Sequence, residues 1–243
     1  MNSLVALITG AARGIGLATS KLLLAEGWHV VMVDRDEEAL HLQVDQLENA
    51  TALVCDVSNP KAVSTLFDSV AQQYGHLNAL VNNAGVADFG PLVETDFARW
   101  RRVMATNLDG VFLCSQAAIN LLKIGGGCIV NIGAVVGFRG FPGDSAYAAS
   151  KAGLAGLTRA LSIELAKRDI RVNLVIPGLV LTEMTSALSD KALESMRQKI
   201  PMGRYGDPDE IAEVVEWVAR SRYMTGAFVP VDGGLMSSFG VAG

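Results

Sequence analysis

The sequence is poor in charge, aromatic rings, histidine and cysteine. Only 19% of its 243 residues are charged and only 6% are aromatic. The net charge of −5 leaves no basic excess, which argues against nucleic acid or an anionic membrane surface as a partner. The three cysteines, Cys55, Cys114 and Cys128, are odd in number and lack metal-ligand spacing. They read as small buried hydrophobes in a reducing compartment, with the cytoplasm as the default. The three histidines, His29, His41 and His76, share no spacing and read as structural, so no metal site is expected. No apolar run reaches the roughly 18 residues of a membrane span. The first one, Leu4 to Ile8, is too short for a signal peptide. Linkers, repeats and low-complexity tracts are also missing, so residues 1–243 read as a single domain.

What is present is apolar residues, 50% of the chain, and 25 glycines. The continuous run Leu4 to Ile8 suits a strand covered on both faces. It leads into Thr9-Gly10-Ala11-Ala12-Arg13-Gly14-Ile15-Gly16 and then a periodic helix to about Ala25. Strand, glycine loop and helix is the context that a phosphate-binding turn requires, because bare backbone can approach a pyrophosphate at a helix N-terminus; a glycine-rich turn with no ligand is the other reading. The spacing is GxxxGxG rather than GxGxxG. A second strand, His29 to Val33, ends at Asp34, whose carboxylate can accept both ribose hydroxyls of an adenosine and would repel a 2′-phosphate. NAD is therefore favoured over NADP, although Arg13 and Arg35 stand close enough in sequence to pair with a phosphate. Asp34 also suits a helix cap.

The alternation continues with a helix from Glu37 to Leu47, a strand from Thr51 to Val54 and a helix from Pro60 to Tyr74. Asp56, before Val57, suits either an adenine amino group or a surface turn. A strand from Leu77 to Val81 opens into Asn82-Asn83-Ala84-Gly85, where small residues at a strand's C-terminal end suit a nucleotide crevice or a turn. Strands from Gly127 to Ile132, Arg171 to Ile176 and Ala227 to Val231 complete the set, with a helix from Pro208 to Arg220 before the last. The expected fold class is α/β: one doubly wound domain, a parallel sheet of about seven strands with helices on both faces.

Two features point to chemistry and assembly. Tyr147 and Lys151 lie one helical turn apart, so they project side by side. An ammonium next to a phenol favours the phenolate, which makes the pair a candidate general acid/base. The run from Phe97 to Leu122 reads as one helix with Asp109 as the sole charge after Val103, and the helix from Tyr147 has none from Ala152 to Thr158. Two charge-poor helices imply helix-to-helix packing in a homo-oligomer. Asn107, inside the first, wants either a polar role near the site or a helix kink. Residues 183–200 read as a lid over an apolar pocket, with Met184 and Leu188 joining Val135, Phe138 and Phe141. Arg139 reads as solvated or as facing an anion, and the tail from Asp232 as disordered or folded against a neighbouring subunit.

Together these motifs resemble the short-chain dehydrogenase/reductase superfamily. The resemblance rests on Thr9 to Gly16, Asn82 to Gly85, Tyr147 to Lys151, and Pro177-Gly178 followed by Thr182. The stretch Thr225 to Gly234 is most similar to the 3-oxoacyl-carrier-protein reductase branch and its polyol and sugar dehydrogenase relatives. The resemblance implies a tetramer and hydride transfer between NAD(H) and a secondary alcohol or ketone. It implies Tyr147 as acid/base, Lys151 lowering its pKa and holding ribose, and Asn107 supporting a relay water. It assigns the dinucleotide to Gly10, Arg13, Gly14, Ile15, Gly16, Asp34, Asp56, Val57, Asn83, Ala84 and Gly85, with Pro177, Gly178 and Thr182 at the carboxamide.

One position departs from the pattern. The family places a serine 13 residues before the tyrosine; here that residue is Ala134. Loss of one preorganised donor to a developing oxyanion costs about 10²–10³ in rate. A Ser→Ala variant, a protein that uses another donor, and an NAD(H)-binding protein without turnover all fit this residue.

Overall fold

The computed structural model describes residues 4–122, 126–182 and 190–238. Seven strands form one sheet: β1 (Val5–Thr9), β2 (His29–Asp34), β3 (Ala50–Val54), β4 (Ala79–Asn82), β5 (Cys128–Ile132), β6 (Arg171–Pro177) and β7 (Phe228–Val231). All pair in parallel, in the order β3-β2-β1-β4-β5-β6-β7. The expected α/β doubly wound fold is thus observed. Chain direction across the sheet reverses between β1 and β4, and the crevice beyond these strand ends is where such sheets receive ligands.

The helices are α1 (Gly14–Ala25), α2 (Glu37–Val44), α3 (Pro60–Tyr74), α4 (Phe97–Met104), α5 (Gly110–Ala118), α6 (Val136–Arg139), α7 (Ser145–Glu164), α8 (Asp190–Arg197) and α9 (Pro208–Arg220). Strand alternation sorts the core into two layers. Ala6, Ile8, Val30 and Met32 pack on one face with Leu23 of α1 and Ile211 and Val215 of α9. Val5, Leu7, Val31 and Val33 pack on the other with Phe67 and Val70 of α3 and Cys114 and Ala118 of α5. Each fully buried Leu, Ile, Val or Met contributes about 1.5–3 kcal/mol. Local signals set the helix ends. Asn59 accepts from the N–H groups of Lys61 and Ala62 ahead of Pro60, and Gly75 ends α3 at φ +69°. Asp207 and Glu210 form a capping box at α9.

The single helix expected from Phe97 to Leu122 runs without a gap to Ala118, but its α geometry is interrupted once. A π turn, Ala105–Asp109, separates α4 from α5, which ends at Ala118. The wider turn houses Asn107, whose partners lie outside the helix, as described below. Residues 183–189 of the expected lid, with Met184 and Leu188, lie outside the described residues, as does Phe239. The tail up to Ser238 folds back on its own subunit: Asp232 accepts from the N–H groups of Gly234 and Met236. Arg139 donates to the Leu235 carbonyl and, at 3.2 Å, to the Ser238 hydroxyl. It therefore holds the tail.

A polar seam crosses the second apolar layer. Asn82 of β4 pairs in register with Asn131 of β5. The Asn82 amide donates to Asn131 (2.9 Å) and Ser115 (3.1 Å), and the Asn131 amide donates to Thr158 of α7 (2.9 Å). Nearer the crevice, the Thr9 hydroxyl accepts from the N–H groups of both Asn83 and Ala84 at 3.0 Å. Replacing Thr9 by the isosteric Val removes the acceptor and leaves both N–H groups unpaired. We expect a loss of about 2–4 kcal/mol, read as a lower urea midpoint at unchanged denaturant slope.

Candidate active site

A cleft of about 910 Å³ opens at the C-terminal ends of the strands. The glycine loop forms its floor. A Cβ on Gly16 would stand 2.1 Å from the Gly10 carbonyl oxygen, and one on Gly10, at φ +66°, 2.9 Å from the Ala84 Cα. Only bare backbone fits these two positions. α1 begins directly after, with no acidic residue in its first turn, so its N–H groups and positive dipole end face the cleft undiminished. Asn83 is spent on this floor: its amide donates to the carbonyls of Thr9 (2.9 Å) and Gly10 (3.0 Å).

Asp34, at the tip of β2, accepts from the Ala12 N–H at 3.1 Å and from the Asp36 N–H at 3.1 Å. The helix cap expected for it falls instead to Asp36, which accepts from Ala39. Asp36 also pairs with Arg13. Asp56 closes a turn by accepting from the Ser58 N–H and hydroxyl at 2.9 and 2.7 Å, while lining the cleft beside Val57. Gly10, Arg13, Gly14, Ile15, Asp34, Asp56, Val57, Asn83, Ala84, Gly85, Pro177, Gly178 and Thr182 all line this one cleft. Gly16 lies beneath its floor. A cradle closed to any Cβ, a helix N-terminus and a carboxylate at the second strand end fit a dinucleotide.

The chemistry-bearing side chains converge opposite. α7 presents Tyr147 and Lys151 on one face. The Lys151 Nζ lies 5.7 Å from the Tyr147 ring centroid and donates to the Ile132 carbonyl at 2.8 Å. Lys151 is only 4% exposed, and burial pushes its pKa down to about 8. The expected lowering of the Tyr147 pKa is not found. Burial, with the negative charge of Asp144 adding to it, pushes the phenol up to about 12. Desolvation of the phenolate outweighs the nearby ammonium, so at neutral pH Tyr147 is a proton donor. Ala134, 9% exposed, forms part of the cleft wall.

Asn107, fully buried, is a clamp. Its oxygen accepts from the Val86 N–H at 2.8 Å, and its amide donates to the Val86 carbonyl (2.9 Å) and the Ser150 hydroxyl (3.1 Å). Ser150 in turn donates to the Tyr147 carbonyl at 2.7 Å. The π turn thereby ties the loop after β4 to the helix that carries Tyr147.

Several cleft-shaping residues escaped the sequence reading. Arg99 donates to Asp88, to the Phe89 carbonyl (3.0 Å) and to the Glu94 carbonyl (2.9 Å). With Arg102 it holds the Asp88 carboxyl below the usual carboxylate range. This shapes the loop that brings Phe89, Gly90 and Pro91 to the cleft. Asp144, at the head of α7, is the other. An acidic residue three positions ahead of Tyr147 was its only signal in the sequence.

The family model described as Enoyl-(Acyl carrier protein) reductase matches residues 10–236. Carbonyl reductase family member 4 from Danio rerio is 42% identical over 235 residues, spanning 96% of this chain and 98% of that protein. The 3-oxoacyl-(acyl-carrier-protein) reductase FabG of Thermotoga maritima is 41% identical over 239 residues, spanning 96% and 97%. Its namesake in Vibrio cholerae is 37% identical over 235 residues, spanning 95% and 96%. Gly16→Ala tests the floor: with the Gly10 carbonyl 2.1 Å away, the loop must move. We expect NADH binding, followed by fluorescence titration, to weaken at least tenfold while the far-UV circular dichroism is kept.

Proposed function

Because the chain belongs to the short-chain dehydrogenase/reductase superfamily, we propose that it reduces a ketone, or oxidises the matching secondary alcohol, with NAD(H). Membership makes it an oxidoreductase that works with a nicotinamide dinucleotide. The observation that carries the finer reading is the meeting, in one cleft, of Tyr147 and Lys151 with a glycine floor and Asp34.

A nicotinamide dinucleotide, when held by the glycine floor, would supply the hydride. Tyr147, protonated at neutral pH, gives its proton to the oxygen as negative charge develops there. The relatives reported above carry the word reductase in their names, which supports the reductive direction. Lys151 places a positive charge beside the phenol and stabilises the phenolate left until a proton returns from solvent. Asn107 holds Val86 and Ser150, and through Ser150 the start of α7. We assign it a positioning role through those hydrogen bonds, alongside the relay water that the resemblance implies. The NAD preference is supported by Asp34 at the strand tip and by Arg13 being paired with Asp36.

Ala134 supports a second reading, an NAD(H)-binding protein without turnover. One experiment separates the two. Initial rates on a panel of ketones are measured with NADH and with NADPH, for this chain and for Ala134→Ser. We expect slow turnover, faster with NADH, that rises about 10²–10³-fold with the serine. No turnover by either protein, with NADH bound by both, sinks the dehydrogenase reading; equal rates with NADPH sink the NAD preference.

We further propose self-association through α5 and α7. Their outer face is a shallow hollow holding Leu108, Phe112, Gly156 and Leu157, with Phe112 48% exposed. The charge-poor helices expected to pack helix to helix leave this face uncovered within one subunit. Buried, free cysteines support a reducing compartment such as the cytoplasm, and no helix among the described residues is long and apolar enough to cross a membrane. Leu157→Arg places a charge in the hollow. By sedimentation velocity we expect the native chain to run as a dimer or tetramer and the variant as a smaller species.

A further inference from the structure

The loop between β4 and α4 is folded around a single guanidinium. Arg99 stands in the first turn of α4, where its backbone N–H donates to the Asp96 side chain at 2.8 Å. Its side chain reaches back over the loop. Nε donates to the Asp88 carboxylate at 2.9 Å, and a second nitrogen donates to the same oxygen and to the Phe89 carbonyl at 3.0 Å. The third nitrogen donates to the Glu94 carbonyl at 2.9 Å. The planar fork thus holds both ends of the segment 88–94 at once. Gly90 lies against it: a Cβ there would stand 3.2 Å from a guanidinium nitrogen.

An exposed ion pair by itself contributes little. This one differs in what it holds. The Asp88 side chain is only 10% exposed, and its other oxygen accepts from Arg102. Arg102 is 61% exposed and, among the described residues, donates to no loop carbonyl. The loop that Arg99 fixes brings Phe89 and Pro91 to one wall of the cleft, while Val135 and Phe141 stand on another. The two loops meet where the Gly90 N–H donates to the Gly143 carbonyl at 3.0 Å. Gly143, at φ +86°, has the Gly90 backbone 3.6 Å from where a Cβ would be. A substrate group cannot pass between the loops at that point without breaking the bridge.

Resting on the reductase reading above, we propose that Arg99 is a positioning residue that keeps the Gly90–Gly143 bridge closed, and so selects compact ketones over ketones that carry a bulky ring. The near end of the loop is clamped separately, at Val86 by Asn107. The freedom left to the loop therefore lies at its far end, where the guanidinium sits. An arginine suits this task because its fork is preorganised, so little freedom is lost for each hydrogen bond formed. A lysine in its place offers one ammonium, which can pair with Asp88 but cannot span the Phe89 and Glu94 carbonyls as well.

Steady-state kcat/KM is measured with saturating NADH for butanone and for acetophenone, in the native chain, Arg99→Met, Arg99→Lys and Arg102→Met. Arg99→Lys keeps the charge beside Asp88 and guards against a simple folding defect. Exchange of the Gly90 amide hydrogen is followed in parallel by nuclear magnetic resonance. We expect the acetophenone-to-butanone ratio to rise about tenfold or more in both Arg99 variants, the scale on which a pocket wall discriminates size. In Arg102→Met it should stay within about twofold of the native ratio, since that arginine adds only an exposed pair. The Gly90 amide should exchange about tenfold faster in the Arg99 variants alone. NADH affinity should be kept throughout, because Asn83 and Ala84 at the near end of the loop are tied to Thr9. A ratio unmoved in both Arg99 variants, or moved as far by Arg102→Met, overturns the assignment. If the native chain reduces neither ketone, the reductase reading falls; the assignment is then decided by the same ratio in the dissociation constants of the two ketones from the protein–NADH complex, read by calorimetry.

Discussion

Everything in the cleft depends on the seam where the loop after β1 meets the loop after β4. Thr9 accepts two backbone N–H groups from the second loop, and Asn83 returns two hydrogen bonds to the first. Between them no side chain fits at Gly10 or Gly16. The seam lies at the point where the strand order reverses. Two strands diverge there, and their outgoing loops would otherwise part. Closing the gap with backbone rather than side chains leaves a floor of N–H groups, which suits an anionic ligand and excludes bulk.

Much of this was legible because it is local. Continuous apolar runs gave the buried parallel strands, as at Val5–Thr9. Glycine spacing gave the floor, and a spacing of four gave Tyr147 beside Lys151. What was not legible depends on distant partners. The π turn at Asn107 answers to Val86 and Ser150, 21 and 43 residues away. Arg139 finds its acceptors 96 and 99 residues on. The direction of the Tyr147 shift followed neither spacing nor charge pairing. It turned on desolvation of the phenolate, which no one-dimensional pattern carries.

The two carboxylates of the cleft show how environment separates roles within one residue type. Asp34 sits at a strand tip, with backbone N–H groups from Ala12 and Asp36 already holding its oxygens in place. It is a preorganised acceptor whose local hydrogen bonds stabilise the folded chain. Asp144 is held only through its backbone, and its side chain gains nothing from the protein around it. The first belongs to the scaffold of the glycine floor. The second is buried with one oxygen unpartnered among the described residues, which costs stability.

The seam of amides between β4, β5 and α7 has a mechanical consequence. Tyr147 rides near one end of α7, and Thr158, on the same rod, is bolted to Asn131 roughly 16 Å further along. Asn131 is itself keyed to Asn82 at a single register. A parallel sheet of interchangeable aliphatic residues could slip by two positions and still bury its apolar faces. The amide pair makes that slip expensive, because it strands buried polar atoms. The axial height of the phenol above the sheet is therefore set remotely, like the bitting of a key cut far from its tip.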